Sequence, residues 1–125
     1  MKAKKDPKIF LEHILESIRE IEKNIHRMPE VKFSRSIAIQ DAVVRRLEII
    51  GEAVRNIPDA FRKNYPKIPW KKIAGLRDIL IHEYFGVDMS LVWKIANKDI
   101  PKLKRQITSI LKKIRTREVP RATRE

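Results

Sequence analysis

Between Ala74 and Gly86 the chain reads Ala-Gly-Leu-Arg-Asp-Ile-Leu-Ile-His-Glu-Tyr-Phe-Gly, which gathers Arg77, Asp78, His82 and Tyr84 into eight residues. A guanidinium is always charged and shaped for bidentate contact with a phosphate. An imidazole can take and return a proton near neutral pH. An Asp four residues ahead of a His on one helix ridge can fix the imidazole's tautomer or favour its charged form. With Asp78 in support, Arg77 can stabilise a pentacoordinate phosphorane while His82 accepts the proton of an attacking hydroxyl, so these residue types suggest phosphodiester cleavage. In RNA the attacking group is the neighbouring 2′-hydroxyl. No metal or other cofactor is then required, and a cyclic 2′,3′-phosphate is the expected first product. DNA lacks that nucleophile.

The spacing sets a condition on this chemistry. At about 100° per residue, position 84 lies within roughly 20° of position 77, whereas position 82 lies about 140° away. One regular helix does not present Arg77 and His82 to the same atom; an unwound helix end or a second copy of the chain across a twofold axis would. Each residue also has an ordinary explanation. Arg77 can pair with Asp78 or Glu83, His82 can be a satisfied core histidine, and Tyr84 can be a core ring with a bonded hydroxyl.

The elements that must position these residues are helical. Phe10, Ile14, Ile18, Ile21 and Ile25 recur at the period of an amphipathic helix, and Asp6-Pro7 reads as its start. Met28 to Phe33, with Pro29, interrupts the pattern, after which Ser34 or Ser36 can cap a second helix running to Ile57. Val43, Leu47, Ile50, Val54 and Ile57 form a narrow seam along it, the pattern of bundle packing. Prolines at 58, 66 and 69 leave room for a short turn of helix over Asp59–Asn64. Pro69 then begins a third main helix, as its first residue, reaching about Tyr84. Gly86 is a stop, and Asp88 or Ser90 can cap a last helix carrying Leu91, Ile95, Leu103, Ile107, Ile110 and Ile114. Pro101 removes the amide that would bond the carbonyl of Asn97, which predicts a bend over residues 97–101. No strand pattern or internal repeat is present. The expectation is an all-α, antiparallel helical bundle of four to five helices forming one domain over residues 1–125, with a frayed basic tail from about residue 116.

Composition bounds what such a domain can bind. The chain has 125 residues, 29 Lys and Arg against 16 Asp and Glu, a formal charge of +13 and no cysteine. That excludes a disulfide framework and a thiolate zinc site, and three scattered histidines argue against a structural metal. No apolar run is long enough to span a bilayer and the basic amino terminus has no apolar stretch after it, so the chain reads as soluble, unexported and cytoplasmic. The positive excess attracts polyanions. Residues 94–125 carry eleven Lys and Arg against Asp99, Glu118 and Glu125. A second basic run, Arg62, Lys63, Lys67, Lys71 and Lys72, holds Tyr65 and Trp70 among its charges, a mixture that suits phosphates and stacked bases. Trp70 packed in the core beneath a solvated lysine face accounts for it equally well.

The run Arg77-x4-His82-x-Tyr84 resembles the HEPN superfamily, and more narrowly the HepT-like toxins of HEPN/MNT toxin–antitoxin modules. The resemblance covers nearly the whole chain. Arg45-Arg46-Leu47-Glu48-Ile49-Ile50-Gly51-Glu52-Ala53 looks like that family's second helix, and Pro69-Trp70 through Leu76 and Val92-Trp93 sit where its flanking signatures do. It implies a HEPN-like bundle that dimerises so that Arg77 and His82 of two protomers face one cleft as a metal-independent endoribonuclease, the toxin of a type VII-like toxin–antitoxin system. It also implies a nucleotidyltransferase antitoxin of the MNT type, which in some members transfers AMP to the motif tyrosine, here Tyr84. Adenylate phosphates beside Arg77 would place negative charge where an RNA phosphate must bind. The family pattern gives no account of Pro101 or of the basic carboxyl-terminal segment.

Two other readings predict different behaviour. A non-catalytic HEPN bundle that binds RNA or nucleotides, or partners a nucleotidyltransferase, predicts affinity without product. A purely structural dimerisation module predicts that Arg77, His82 and Tyr84 pack an interface and that RNA binding is weak. In the nuclease reading Lys71, Lys72, Arg62 and Lys63 are candidate RNA contacts.

Overall fold

The computed structural model describes residues 6–82 and 88–118, with the backbone alone for Ile81, His82 and Glu118. Helix α1 spans Pro7–Ile25 and opens with Asp6 as N-cap, whose side chain accepts from the Lys8 amide at 3.0 Å, and Pro7 in the first turn. Of its expected stripe, Ile14, Ile18, Ile21 and Ile25 are buried, while Leu11 takes the core position expected of Phe10, which is only partly buried. The 28–33 interruption is shorter than expected. Pro29 lacks the amide to continue α1, but its carbonyl accepts from Lys32 and Phe33 and starts a six-residue helix, α2 (Glu30–Arg35). Phe33 is the side chain that anchors it, buried and tilted against Trp93 at 5.1 Å between ring centroids.

Ser36 caps α3 (Ile37–Asn56), its hydroxyl accepting from the Ile39 amide at 3.2 Å. Along α3 the expected seam of Val43, Leu47, Ile50 and Val54, continued by Ile57, is buried. Each such side chain stabilises the bundle by roughly 1.5–3 kcal/mol. A single turn, α4 (Asp59–Arg62), follows Pro58, and a connector leads to α5 (Trp70–His82). Pro69 sits one residue outside α5, where its carbonyl accepts the Ile73 amide, so it acts as a cap rather than as the first helical residue.

Helix α6 (Met89–Lys94) is capped by Asp88, whose carboxylate accepts from the Ser90 amide at 2.8 Å. Where a bend was predicted, the helix changes its hydrogen-bonding pattern. Residues Ile95–Asp99 make a π-helical turn, with the Ile100 amide bonded to the Ile95 carbonyl, before α7 (Ile100–Glu118) continues past Pro101. The wider turn changes the register just ahead of the proline, which lets the chain stay helical through a residue with no amide to donate. Helix α7 extends a little beyond the point where fraying was expected; Gly86 and the residues from 119 onward lie outside the described residues.

Helix α1 packs on α3 and α7, α3 packs on α5, and α2 lies against α3 and α6. Among the described residues there is no strand, and no helix is long and apolar enough to cross a membrane. The fold is all-α, with four long helices, α1, α3, α5 and α7.

The α3–α5 crossing positions the motif. A Cβ at Gly51 would lie 3.0 Å from the Arg77 amide nitrogen and 3.1 Å from the Ile73 carbonyl oxygen, so only glycine allows the two backbones this close. Gly51 thereby fixes the height at which Arg77 meets α3.

Candidate active site around Arg77

Helix α5 keeps α-helical geometry through His82. The angular offset expected between positions 77 and 82 therefore stands in the fold, and no unwinding before His82 relieves it. The side chain of His82 and all of Tyr84 lie outside the described residues.

Arg77 faces α3. Its Nε donates toward Glu52 Oε2 at 2.6 Å, its Nη1 stands 3.5 Å from Asp78 Oδ1, and its side chain is 35% exposed. It borders an open cleft of about 290 Å³, with Phe10 and His13 from α1 and Arg45, Glu48, Glu52 and Asn56 from α3. Of the ordinary explanations, a salt bridge for Arg77 is present, with Glu52 as the closer carboxylate and Asp78 as the more distant. Among the described residues no group of three or more metal-ligating side chains is placed to hold an ion.

Asp78 is engaged from two sides, by the Arg55 guanidinium and by Arg77. Its carboxylate is thus part of a four-residue network, Glu52–Arg77–Asp78–Arg55, that ties α5 to α3. With five N–H donors on a guanidinium, the two contacts of Arg77 leave donors for a phosphate oxygen arriving from the cleft.

Of the residues singled out in the sequence, the fold brings Arg77 and Asp78 together at this cleft, and it adds Glu52 and His13, which the sequence did not single out as neighbours of the motif. Glu52 did carry a signal, since it follows the glycine that marks the helix crossing. His13 carried none, because it stands on the far side of the cleft, on α1, edge-on to Phe10 at 6.3 Å.

The basic run separates from this cleft. Arg62, Lys63, Lys71 and Lys72 line one groove together with Ile68, Pro69 and Trp70, and no residue of that groove borders the Arg77 cleft. Asp59 takes Arg62 at 3.6 Å and Lys63 at 3.5 Å, while Lys71 and Lys72 are exposed, with no carboxylate at ion-pair distance among the described residues. Trp70 is only 7% exposed, and its indole N–H donates to the carbonyls of Arg62 at 3.1 Å and Tyr65 at 3.0 Å. Of the two accounts of Trp70, packing in the core is the one observed; base stacking is not available to a ring so placed.

The Ribonuclease HepT-like family model matches residues 14–110. The chain is 53% identical over 111 residues to a Methanocaldococcus jannaschii protein named gamma-glutamylcyclotransferase and putative RNase, covering 89% of this chain and 50% of that one; it thus spans half the length of that relative. It is 45% identical over 109 residues to a putative RNase of Caldanaerobacter subterraneus subsp. tengcongensis, covering 87% and 97% of the two chains. To the probable ribonuclease HepT of Thermococcus cleftensis it is 44% identical over 109 residues, covering 87% and 99%. No solved structure matches the chain. With the matched span taking in α3, α5 and the whole Arg77 cleft apart from Phe10 and His13, the chain belongs to the HepT-like ribonuclease family of the HEPN superfamily.

Proposed function

We propose that the protein is a metal-independent endoribonuclease, the toxin component of a toxin–antitoxin pair. In this reading Arg77 binds and stabilises the scissile phosphate and His82 takes the proton from the 2′-hydroxyl. Asp78 supports the pair, and Lys71, Lys72, Arg62 and Lys63 hold flanking RNA. A nucleotidyltransferase antitoxin silences the site by adding AMP to Tyr84.

The observation that carries the proposal is the helical continuity of α5. Arg77 is turned to α3 and its cleft, while periodicity places position 82 on the face shared with Gly75 and Ile79. Ile79 is 49% exposed, Gly75 has nothing within 4 Å of where a Cβ would be, and the ion-paired Asp78 borders them, so this face carries a small apolar patch beside a charge. A twofold axis at the edge of this face, between it and the Arg77 cleft, is what would set His82 of one protomer against Arg77 of the other.

The test uses the full chain in chelator-containing buffer. Arg77→Ala and His82→Ala each lose RNA cleavage and keep the helical circular-dichroism spectrum. When the two inactive variants are mixed and allowed to exchange subunits, half of the dimers are mixed and each holds one intact site, so about a quarter of wild-type activity returns. Retained cleavage in both single variants removes the mechanism, and recovery of nothing on mixing removes the shared site.

A further inference from the structure

The basic connector and the basic carboxyl-terminal helix, far apart in sequence, form one surface. Three grooves adjoin around Ile68 and Pro69. The first is the Arg62–Lys72 groove described above. The second, between α5 and the start of α7, contains Lys72, Lys102 and Gln106. The third runs between the connector and α7 and contains Asn64, Lys67, Arg105, Gln106, Ser109 and Lys113. Adjacent grooves share lining residues: Ile68 and Pro69, then Lys72, then Gln106. Lys102, Arg105, Ser109 and Lys113 recur at helical spacing and so make one stripe along α7.

The charge on this belt is uncompensated over most of its length. Lys67, Lys71, Lys72, Lys102 and Arg105 are all exposed, and among the described residues none has a carboxylate at ion-pair distance. The acids bordering the belt are Asp59, already shared by Arg62 and Lys63, and Asp99. The belt offers no free aromatic face. Trp70 is buried, and Tyr65 is half-buried, tilted against Phe61 at 5.3 Å between centroids, with Lys113 Nζ over its ring at 5.8 Å from the centroid. Single-stranded RNA is held by stacking bases on exposed rings, whereas a helical limb is held by its phosphates and 2′-hydroxyls. Lysines and arginines interspersed with Asn64, Gln106 and Ser109 supply the second kind of contact.

We infer that this belt is a docking surface for the paired limb of a folded RNA, gripping its phosphate backbone without reading sequence while a separate segment reaches the Arg77 cleft. The inference rests on RNA being the substrate of the proposed nuclease, and it narrows that substrate to molecules with a helical limb beyond the cleavage point. It also gives the basic α7 a role.

The test measures binding of the full chain to a fluorescein-labelled RNA hairpin and to a single strand with the same number of phosphates, by anisotropy over a range of KCl. The variants are Lys67→Gln/Lys102→Gln/Arg105→Gln and the charge-keeping Lys67→Arg/Lys102→Arg/Arg105→Lys. Because the three side chains are exposed and, among the described residues, have no carboxylate at ion-pair distance, both variants fold, which thermal melting checks. The wild type binds the hairpin more tightly than the single strand. The neutral variant loses at least about tenfold in hairpin affinity at physiological salt, and its slope of log Kd against log [KCl] falls by about 2–3; the charge-keeping variant recovers both. An unchanged slope in the neutral variant, equal affinity for the single strand, or equal displacement by poly-glutamate, which would mark an acidic protein as the partner, each overturns the inference. The readout is binding, so a wild-type protein that grips the hairpin but cleaves nothing sinks the nuclease reading and leaves this one standing.

Discussion

At the scale of single residues, the ion pair between Arg77 and Glu52 is the contact that the proposed phosphate-binding role of Arg77 has to accommodate. A 2.6 Å contact to a half-exposed carboxylate holds the guanidinium at the cleft edge and occupies part of its charge. If Arg77 binds the scissile phosphate as proposed, that phosphate competes with this carboxylate. Replacing Glu52 with Gln keeps an acceptor for Arg77 Nε and removes the negative charge, so KM for RNA falls several-fold while kcat changes little. Steady-state cleavage kinetics check this, and a loss as deep as that of Arg77→Ala would mean that Glu52 takes part in the chemistry itself. Arg77 and Asp78 were legible in the sequence because helical spacing relates them to each other locally. His13 was not, and Glu52 only through the glycine before it, since their proximity to Arg77 depends on how α3 and α1 cross α5.

At the scale of elements, the Gly51 crossing connects packing with activity. A methyl group at that position meets the backbone of α5, which cannot rotate out of the way as a side chain can. Gly51→Ala therefore costs about 1–3 kcal/mol, read as a lower melting temperature, and lowers cleavage further than the loss of folded protein explains because Arg77 is displaced from Glu52. Unchanged melting would show that the helices separate freely. The Asp6 cap, the α3 seam and most of the α1 seam followed from side-chain chemistry and apolar period, while the sequence left Ser34 or Ser36 and Asp88 or Ser90 open and the fold uses Ser36 and Asp88. Two features did not. The α2 turn owes its helicity to Phe33 finding Trp93, a tertiary contact, and the π-turn is one of several ways a helix can absorb Pro101.

At the scale of the whole molecule, charge and chemistry occupy different surfaces. The Arg77 cleft contains two glutamates beside its two arginines, while the charged residues lining the belt around Ile68 and Pro69 are eight Lys and Arg against Asp59 and Asp99. Net charge was plain from composition, but its division into a mixed-charge cleft and a cationic belt required the fold to bring the 62–72 and 102–113 runs together. This separation matches an enzyme that holds RNA by its backbone and leaves bond cleavage to a few groups. The chemistry itself is tested most directly by the ends it leaves. RNA digested in chelator by the full chain, analysed by mass spectrometry, is expected to carry a cyclic 2′,3′-phosphate on one fragment and a 5′-hydroxyl on the other, with no cleavage where the scissile nucleotide is 2′-deoxy. Fragments ending in a 3′-hydroxyl and a 5′-phosphate, or cleavage at the 2′-deoxy position, would contradict attack by the ribose hydroxyl.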